Sequence, residues 1–315
     1  MARTRKGAPI SGWVVLDKPL GLGSTPALAR VRRLFGAAKG GHGGTLDPLA
    51  TGILPVALGE ATKTLPFVVD SDKEYLFTVR WGVATATEDA EGEVVATSDA
   101  RPDAAAIAAV LGRFVGDIMQ APPAYSAIKV DGERAYDLAR AGEAPVLPPR
   151  PVTVHALTLE GCDDADHARF RVACGKGTYV RSLARDLAAA LGTVGHVVAL
   201  RRTKTGPFDE KMAFTLENLA ISLESDPALV DSPRLGGPLL PVETALADIP
   251  ALAMTEGNAA LLMRGQAIRA TDIVPLPGCE TALAGDLFQV HGFGRLVALA
   301  RLEAGWLRPV RVFNP

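Results

Sequence analysis

The chain is poor in cysteine: Cys162, Cys174 and Cys279 are the only three in 315 residues. An odd number at such wide spacing offers neither a disulfide framework nor a zinc site. The five histidines show no paired ligand spacing either, so no resident metal is expected. No GxGxxG or P-loop string occurs, which removes the usual signatures of dinucleotide or nucleotide cofactors. Also missing is any run of roughly 18 apolar residues that could cross a membrane. The longest candidate, Ala188 to Leu200, is interrupted by Gly192, Thr193, Gly195 and His196. Near the N-terminus Arg3, Arg5 and Lys6 are followed only by the short apolar run Trp13 to Leu16, too little for a signal peptide. The expectation is a cytoplasmic protein without membrane contact.

What is present is enough apolar material for a sizeable core, 48% of a 315-residue chain, at a length that calls for one large and one smaller domain. Net charge is only −2, but its distribution is uneven. Residues 1–60 carry eight Lys/Arg against three Asp/Glu, and residues 169–212 carry nine against three. Two basic blocks in an otherwise acidic chain either build one face for a phosphate backbone or are separate solvated surfaces.

Residues 1–11 read as a disordered basic arm. Gly12 to Lys18 reads as a strand stopped by Pro19. Thr25-Pro26 signals a helix start, with Leu28, Val31, Leu34 and Phe35 as its apolar stripe and Gly36 as its end. Lys39 to Gly59 is rich in Gly and Pro, so its first half reads as a loop. Tyr75, Phe77, Val79 and Trp81 alternate with Leu76, Thr78 and Arg80, the period of a strand. Helices are expected over 104–114 and 181–191, and paired strands over 152–160 and 169–174. Helices and strands follow no βαβ rhythm, so the fold class is α+β. Pro and Gly cluster from about Ile221 to Pro250, which places a boundary at 248/249. Strand signals after it give a small, mainly β module over 249–315.

The most unusual segment is Gly40-Gly41-His42-Gly43-Gly44-Thr45-Leu46-Asp47-Pro48. Its glycines permit close backbone approach to a ligand, and Pro48 restricts Asp47 to extended geometry. The residues alone also fit an ordinary surface turn.

The string Gly41 to Gly52 resembles the catalytic motif of the bacterial tRNA pseudouridine synthase B family. Five further segments resemble that family in order and approximate spacing: Leu16-Asp17-Lys18-Pro19 with Gly21 and Ser24, Asp70 to Tyr75, Tyr125 to Lys129, Lys176 to Arg181, and His196 to Arg202. The resemblance covers about residues 12–216. It implies a pseudouridine synthase fold with a mixed, mainly antiparallel sheet flanked by helices. It further implies a catalytic domain over 12–248, an RNA-clamping insertion at about 124–150, and a C-terminal PUA-like domain.

The same resemblance implies that Asp47 is the catalytic carboxylate, attacking the ribose C1′ or taking a proton from the sugar. Arg181 would pair with it, since a guanidinium favours a charged carboxylate. A cation at a helix start opposes the helix dipole, which itself calls for a partner. Tyr75 would stack on a flipped uracil and help remove the C5 proton; on pattern alone it reads as a core aromatic. His42 would fill the space of the extruded base, Tyr179 and Leu200 would line the uracil pocket, and Lys18 would contact substrate. On pattern alone Leu200 reads as core. The implied substrate is the T-arm stem-loop of tRNA, bound by a monomer that uses no cofactor. Gly43 and Gly23 depart from the family pattern, and a floppier loop is expected at Gly43. Two other classes remain open: a non-catalytic RNA-binding protein, and a carboxylate-pair glycosidase. The latter needs a second carboxylate beside Asp47 that the sequence does not nominate.

Overall fold

The fold was analysed in a computed structural model, which describes residues 7–126, 128–130, 132–143, 145–272, 274, 275 and 286–314. Most of the expected basic arm, residues 1–6, lies outside them, as do Ala127 and Cys279. Ala8 donates to the Gly36 carbonyl at 2.8 Å and Ile10 is buried, so the chain joins the fold before Gly12.

A nine-stranded sheet organises the larger part. Its strands are β1 (Gly12–Lys18), β2 (Gly40–His42), β3 (Ala50–Leu58), β4 (Lys73–Trp81), β5 (Gly116–Gln120), β6 (Arg150–Cys162), β7 (His167–Cys174), β8 (Gly195–Thr205) and β9 (Phe208–Asp209). The main order is β1-β3-β8-β4-β7-β6-β5, with β2 beside β3 and β9 beside β8. Every pairing is antiparallel except β3 with β8, so the sheet is mixed and mainly antiparallel. That parallel pairing joins the second and third strands of this order and brings Leu200 opposite Ala50 and Arg202 opposite Gly52.

The expected loop at residues 39–44 is partly a strand: Gly40, Gly41 and His42 pair with Leu58, Ala57 and Val56. Glycines disfavour strands on their own. Here a side chain is excluded by neighbours, because a Cβ at Gly41 would come within 2.7 Å of Leu65 Cδ1. Tertiary packing has overridden local preference.

Two short helices are α2 (Leu65–Asp70) and α4 (Ala135–Arg140). Helices α1 (Ser24–Leu34) and α6 (Leu216–Ser225) cover β1 and β3 through Ala27, Val31, Leu219 and Leu223. Helices α3 (Ala104–Leu111) and α5 (Val180–Ala190) join the second core, whose strand side includes Phe77, Val79, Trp81 and Phe170. Phe170 stacks on Phe77 at 5.2 Å and meets Trp81 edge-on at 6.1 Å. Such ring pairs contribute about 0.5–1.5 kcal/mol beyond the area they bury. Leu183, Ala184, Leu187 and Ala188 form the buried stripe of α5, which aims its N-terminal turn at the sheet centre.

A second, six-stranded sheet spans Ala251–Ala253 to Trp306–Val312 and closes over Leu262, Phe288, Val290 and Leu307. It meets the larger part through Leu246, Phe67, Leu296, Leu299 and Phe313. The Lys63 ammonium also donates to the Val312 carbonyl at 2.8 Å. Among the described residues no helix is long and apolar enough to cross a membrane.

Candidate active site

The loop between β2 and β3 carries Asp47, and it is held from three sides. The Ser24 hydroxyl, at the start of α1, donates to the Leu46 carbonyl at 2.8 Å and accepts from the Leu46 N–H at 2.7 Å. Gly21 N–H donates to the Pro48 carbonyl at 2.8 Å. Gly43 N–H donates to the Pro55 carbonyl at 2.8 Å.

Gly43 therefore does not loosen the loop. A Cβ there would stand 2.6 Å from Val68 Cγ1, so the glycine permits close packing rather than mobility. Gly43→Ala is expected to slow catalysis and lower the melting temperature, and Val68→Ala in the same chain to restore much of both. Overpacking of this kind costs about 1–3 kcal/mol. Calorimetry with a rate measurement checks it; additive losses in the double variant would exclude the contact as the cause.

Arg181, in the first turn of α5, is 7% exposed and reaches across to the loop. Its Nη2 lies 3.0 Å from Asp47 Oδ2 and donates to the Tyr125 carbonyl at 2.9 Å. Its Nη1 lies 3.3 Å from Asp89 Oδ2 and donates to the Thr87 carbonyl at 2.8 Å. One guanidinium thus bridges two carboxylates of opposite character: the Asp47 side chain is 42% exposed, that of Asp89 only 8%. Arg185, one turn further on the same face of α5, binds Glu88. Burial raises the Glu88 carboxyl above its ordinary value, with Arg185 opposing.

Asp89 was missed in the sequence. It sits in an acidic stretch with Glu88 and Glu91, and nothing in its spacing connects it to Arg181, 92 positions away. The one available signal was the unfavourable charge at the start of α5. Asp89 is also the second carboxylate that a glycosidase reading requires, but it is fully engaged. It accepts from the Thr87 hydroxyl, the Glu91 N–H at 3.0 Å, and Arg181. A carboxylate so occupied cannot serve as a free acid or base.

Two cavities meet at the Asp47–Arg181 pair. One, of about 570 Å³, is lined by Ser24, Asp47, Asp89, Tyr125, Tyr136 and Arg140 among others. The other, of about 350 Å³, is lined by Asp47, Lys73, Tyr75, Tyr179, Leu200 and Arg202 among others. Both volumes fall in the range of small-ligand sites. The structure therefore brings Asp47, Tyr75, Tyr179, Arg181 and Leu200 to one cavity, from two strands, two loops and a helix.

Tyr75 is partly exposed there and lines the same cavity as Arg202. Burial pushes the phenol up, and the Arg202 charge opposes this. Tyr179, the residue before α5, is fixed by Gln120: its N–H donates to Oε1 at 2.8 Å and its carbonyl accepts from Nε2 at 3.1 Å. Burial raises its phenol too. Leu200 lines the cavity and also packs against both cores, so the two readings of this residue coexist.

Two expected substrate contacts stand elsewhere. Lys18 is fully buried behind the loop, and its ammonium donates to the carbonyls of Leu22 at 2.6 Å, Pro19 at 3.0 Å and Pro48 at 3.5 Å. Burial pushes it down to about 8, with Asp47 opposing and Arg202 adding to the effect. Its position makes it a support for the loop, not a contact for RNA. His42 ends β2 opposite Val56 and lines neither cavity. Its imidazole is lowered by burial and by the Arg202 charge.

The second basic block is also not the open cationic face that its composition permits. Arg169, Arg171, Lys176, Arg181, Arg185 and Arg201 are in ion pairs, and Arg202 is buried. In the first block Arg30, Arg32, Arg33 and Lys39 are exposed, with no ion pair among the described residues.

A mixed sheet with its one parallel pairing under a carboxylate loop, faced by a guanidinium, a tyrosine and a leucine, defines an RNA-modifying isomerase of the pseudouridine synthase class. The chain belongs to the tRNA pseudouridine synthase B family. Residues 32–180 match "TruB family pseudouridylate synthase (N terminal domain)", and residues 181–247 match "tRNA pseudouridylate synthase B C-terminal domain". It is 54% identical to tRNA pseudouridine synthase B of Gluconacetobacter diazotrophicus, covering 98% of this chain and 99% of that one. Against the protein of the same name from Rhodospirillum rubrum it is 50% identical, with 100% of both covered. A chain in the crystal structure of a Cbf5-Nop10-Gar1 complex superposes with a TM-score of 0.73 at 26% identity, over 96% of this chain and 85% of that one. A chain of an H/ACA RNP bound to a substrate RNA containing 2′-deoxyuridine shares the fold, with a TM-score of 0.73 at 24% identity, over 100% and 92%.

Proposed function

We propose that the chain converts one uridine in the T-arm stem-loop of tRNA to pseudouridine, acting as a monomer in the cytoplasm. The observation that carries this reading is the Asp47 carboxylate, half-exposed and paired with Arg181 at 3.0 Å, at the mouth of a cavity that also holds Tyr75. The target uracil lies within folded RNA and must be extruded at a cost of a few kcal/mol. Stacking on Tyr75 returns about 1–3 kcal/mol of it.

With the base in the smaller cavity, its ribose faces Asp47. Asp47 either attacks C1′ or takes a sugar proton, and the C1′–N1 bond breaks. The uracil turns between Tyr75 and Leu200, and the C1′–C5 bond forms as the Asp47–C1′ bond breaks or, on the other route, as Asp47 returns the sugar proton. Tyr75 helps pass the C5 proton to solvent, and N1 gains a proton from solvent, so mass and redox state are unchanged. Arg181 holds Asp47 throughout. Lys18 supports the loop through the Pro48 carbonyl. The insertion at 124–150 closes over the RNA, with Arg140 stacked on Tyr136 at 4.6 Å beside the larger cavity. In this division residues 12–248 carry the chemistry, and the PUA-like unit at 249–315 contacts the RNA at a distance.

The test is mass-neutral conversion of unmodified tRNA, detected by carbodiimide labelling. Pseudouridine at a single T-loop position supports the reading; release of free uracil points to a glycosidase instead. The logarithm of RNA affinity is expected to fall linearly with log salt, with a slope of about −0.9 for each duplex phosphate neutralised. With most of residues 169–212 internally paired, few contacts contribute, and the exposed arginines of α1 are the leading candidates. A filter-binding series in salt measures the slope, and a slope matching all nine cations of that block would contradict the ion pairs seen there.

A further inference from the structure

Arg201 and Arg202 are neighbours on β8 with opposite fates. Arg201 is partly exposed and is held by two carboxylates, Asp17 and Glu210. Arg202 is 1% exposed, and among the described residues no carboxylate pairs with it. A buried guanidinium without a counter-ion is costly unless its donors are satisfied. Those donors run to main-chain oxygens: Nε to Ile53 at 2.8 Å, Nη2 to Gly44 at 3.2 Å and Nη1 to Thr45 at 3.4 Å. Tyr75 lines the same cavity as this group and pairs with Arg202 across the sheet.

These partners are not scattered. Gly44 and Thr45 lead directly into Asp47, and Ile53 lies on the strand that leaves that loop. The Arg202 main chain stands opposite Gly52 on one side and opposite Tyr75 on the other. Contact with β3 is close enough that a Cβ at Gly52 would come 2.2 Å from the Arg202 carbonyl oxygen. Main chain and side chain of a single residue therefore tie the two ends of the Asp47 loop to the strand carrying Tyr75.

We propose that Arg202 is a positioning residue for the isomerisation, fixing the Asp47 loop through its fork of donors to the strand pairing that carries Tyr75. The assignment rests on the uridine-isomerising reading above. Lysine cannot replace it, because an ammonium lacks the planar fork that reaches Ile53, Gly44 and Thr45 together. Its charge also lowers His42, Lys18 and Lys73, which gives a signal independent of turnover.

The test compares wild type, Arg202→Lys and Arg202→Met as full chains on unmodified tRNA. It measures melting temperature, tRNA affinity, single-turnover rate at saturating enzyme across pH, and the His42 imidazole titration by NMR. Both variants are expected to fold and to bind tRNA as wild type does, and to lose about 100-fold in single-turnover rate, the scale of a misplacement of about 1 Å. The His42 titration should rise in Arg202→Met and stay near wild type in Arg202→Lys. In Arg202→Met the rate should also require higher pH, because the Tyr75 phenol loses the charge that opposes its upward shift. Single-turnover rates unchanged in both variants overturn the proposal. So does a loss confined to tRNA affinity, or a collapse of the melting temperature in both, which would make Arg202 a framework residue only. If wild type itself forms no pseudouridine, the underlying reading fails and the assignment falls with it; active wild type with active variants removes the assignment alone.

Discussion

Asp47→Ala is expected to abolish pseudouridine formation, with a loss of at least about 10⁴-fold in single-turnover rate, while tRNA affinity stays close to wild type. The reasoning is geometric. Asp47 projects from a loop whose backbone is bonded on both sides by Ser24, Gly21 and Lys18, so removing its side chain beyond Cβ leaves the loop anchored. Its carboxylate is 42% exposed, so the change leaves no large internal void. What disappears is the carboxylate proposed to act on the ribose. Single-turnover conversion and filter binding on one preparation separate the two effects. Product formed at an undiminished rate would remove Asp47 from the chemistry, and an equal loss of binding would make it an RNA contact instead.

Arg181→Met should fail in two ways at once. The rate should fall because Asp47 loses its partner, and the fold should lose about 3–5 kcal/mol because Asp89 is left buried without its cation. The larger stability effect comes from Asp89, whose side chain and that of Arg181 are each 8% exposed; the exposed Asp47 end contributes little. Adding Asp89→Asn to Arg181→Met should therefore recover much of the stability and none of the activity. Denaturant melts of the three variants alongside conversion assays give the answer. If Arg181→Met melts like wild type, the buried carboxylate does not depend on this arginine and the bridge between the two aspartates is not a structural necessity.

Legibility differed from residue to residue. The strand of Tyr75, Phe77, Val79 and Trp81 and the stripe of α1 could be read because one face of each is buried, and burial imprints its period on the chain. Asp47, Tyr75, Tyr179, Arg181 and Leu200 could be named by resemblance, and they do converge on one cavity. Lys18 could not be placed, because a lysine in a motif looks the same whether its ammonium meets RNA or three carbonyls. The short strand at Gly40–His42 was hidden because its pairing partner, not its composition, stabilises it. Gly43 read as slack where Val68 in fact packs against it.

Local order along the chain is enough to specify the strand of Tyr75 to Trp81, the helices α1 and α5, and which family the motifs mark. These properties depend on neighbours within a few residues or on short strings. The partners of each charge are another matter. Asp89 and Arg181 are 92 positions apart, and Arg202 reaches Gly44 across 158. Such contacts arise because a parallel strand pairing and the packing of α5 on the sheet carry distant segments into one low-dielectric space. There a cation without a near acceptor is too costly to keep, and its choice of acceptor is settled by geometry in three dimensions.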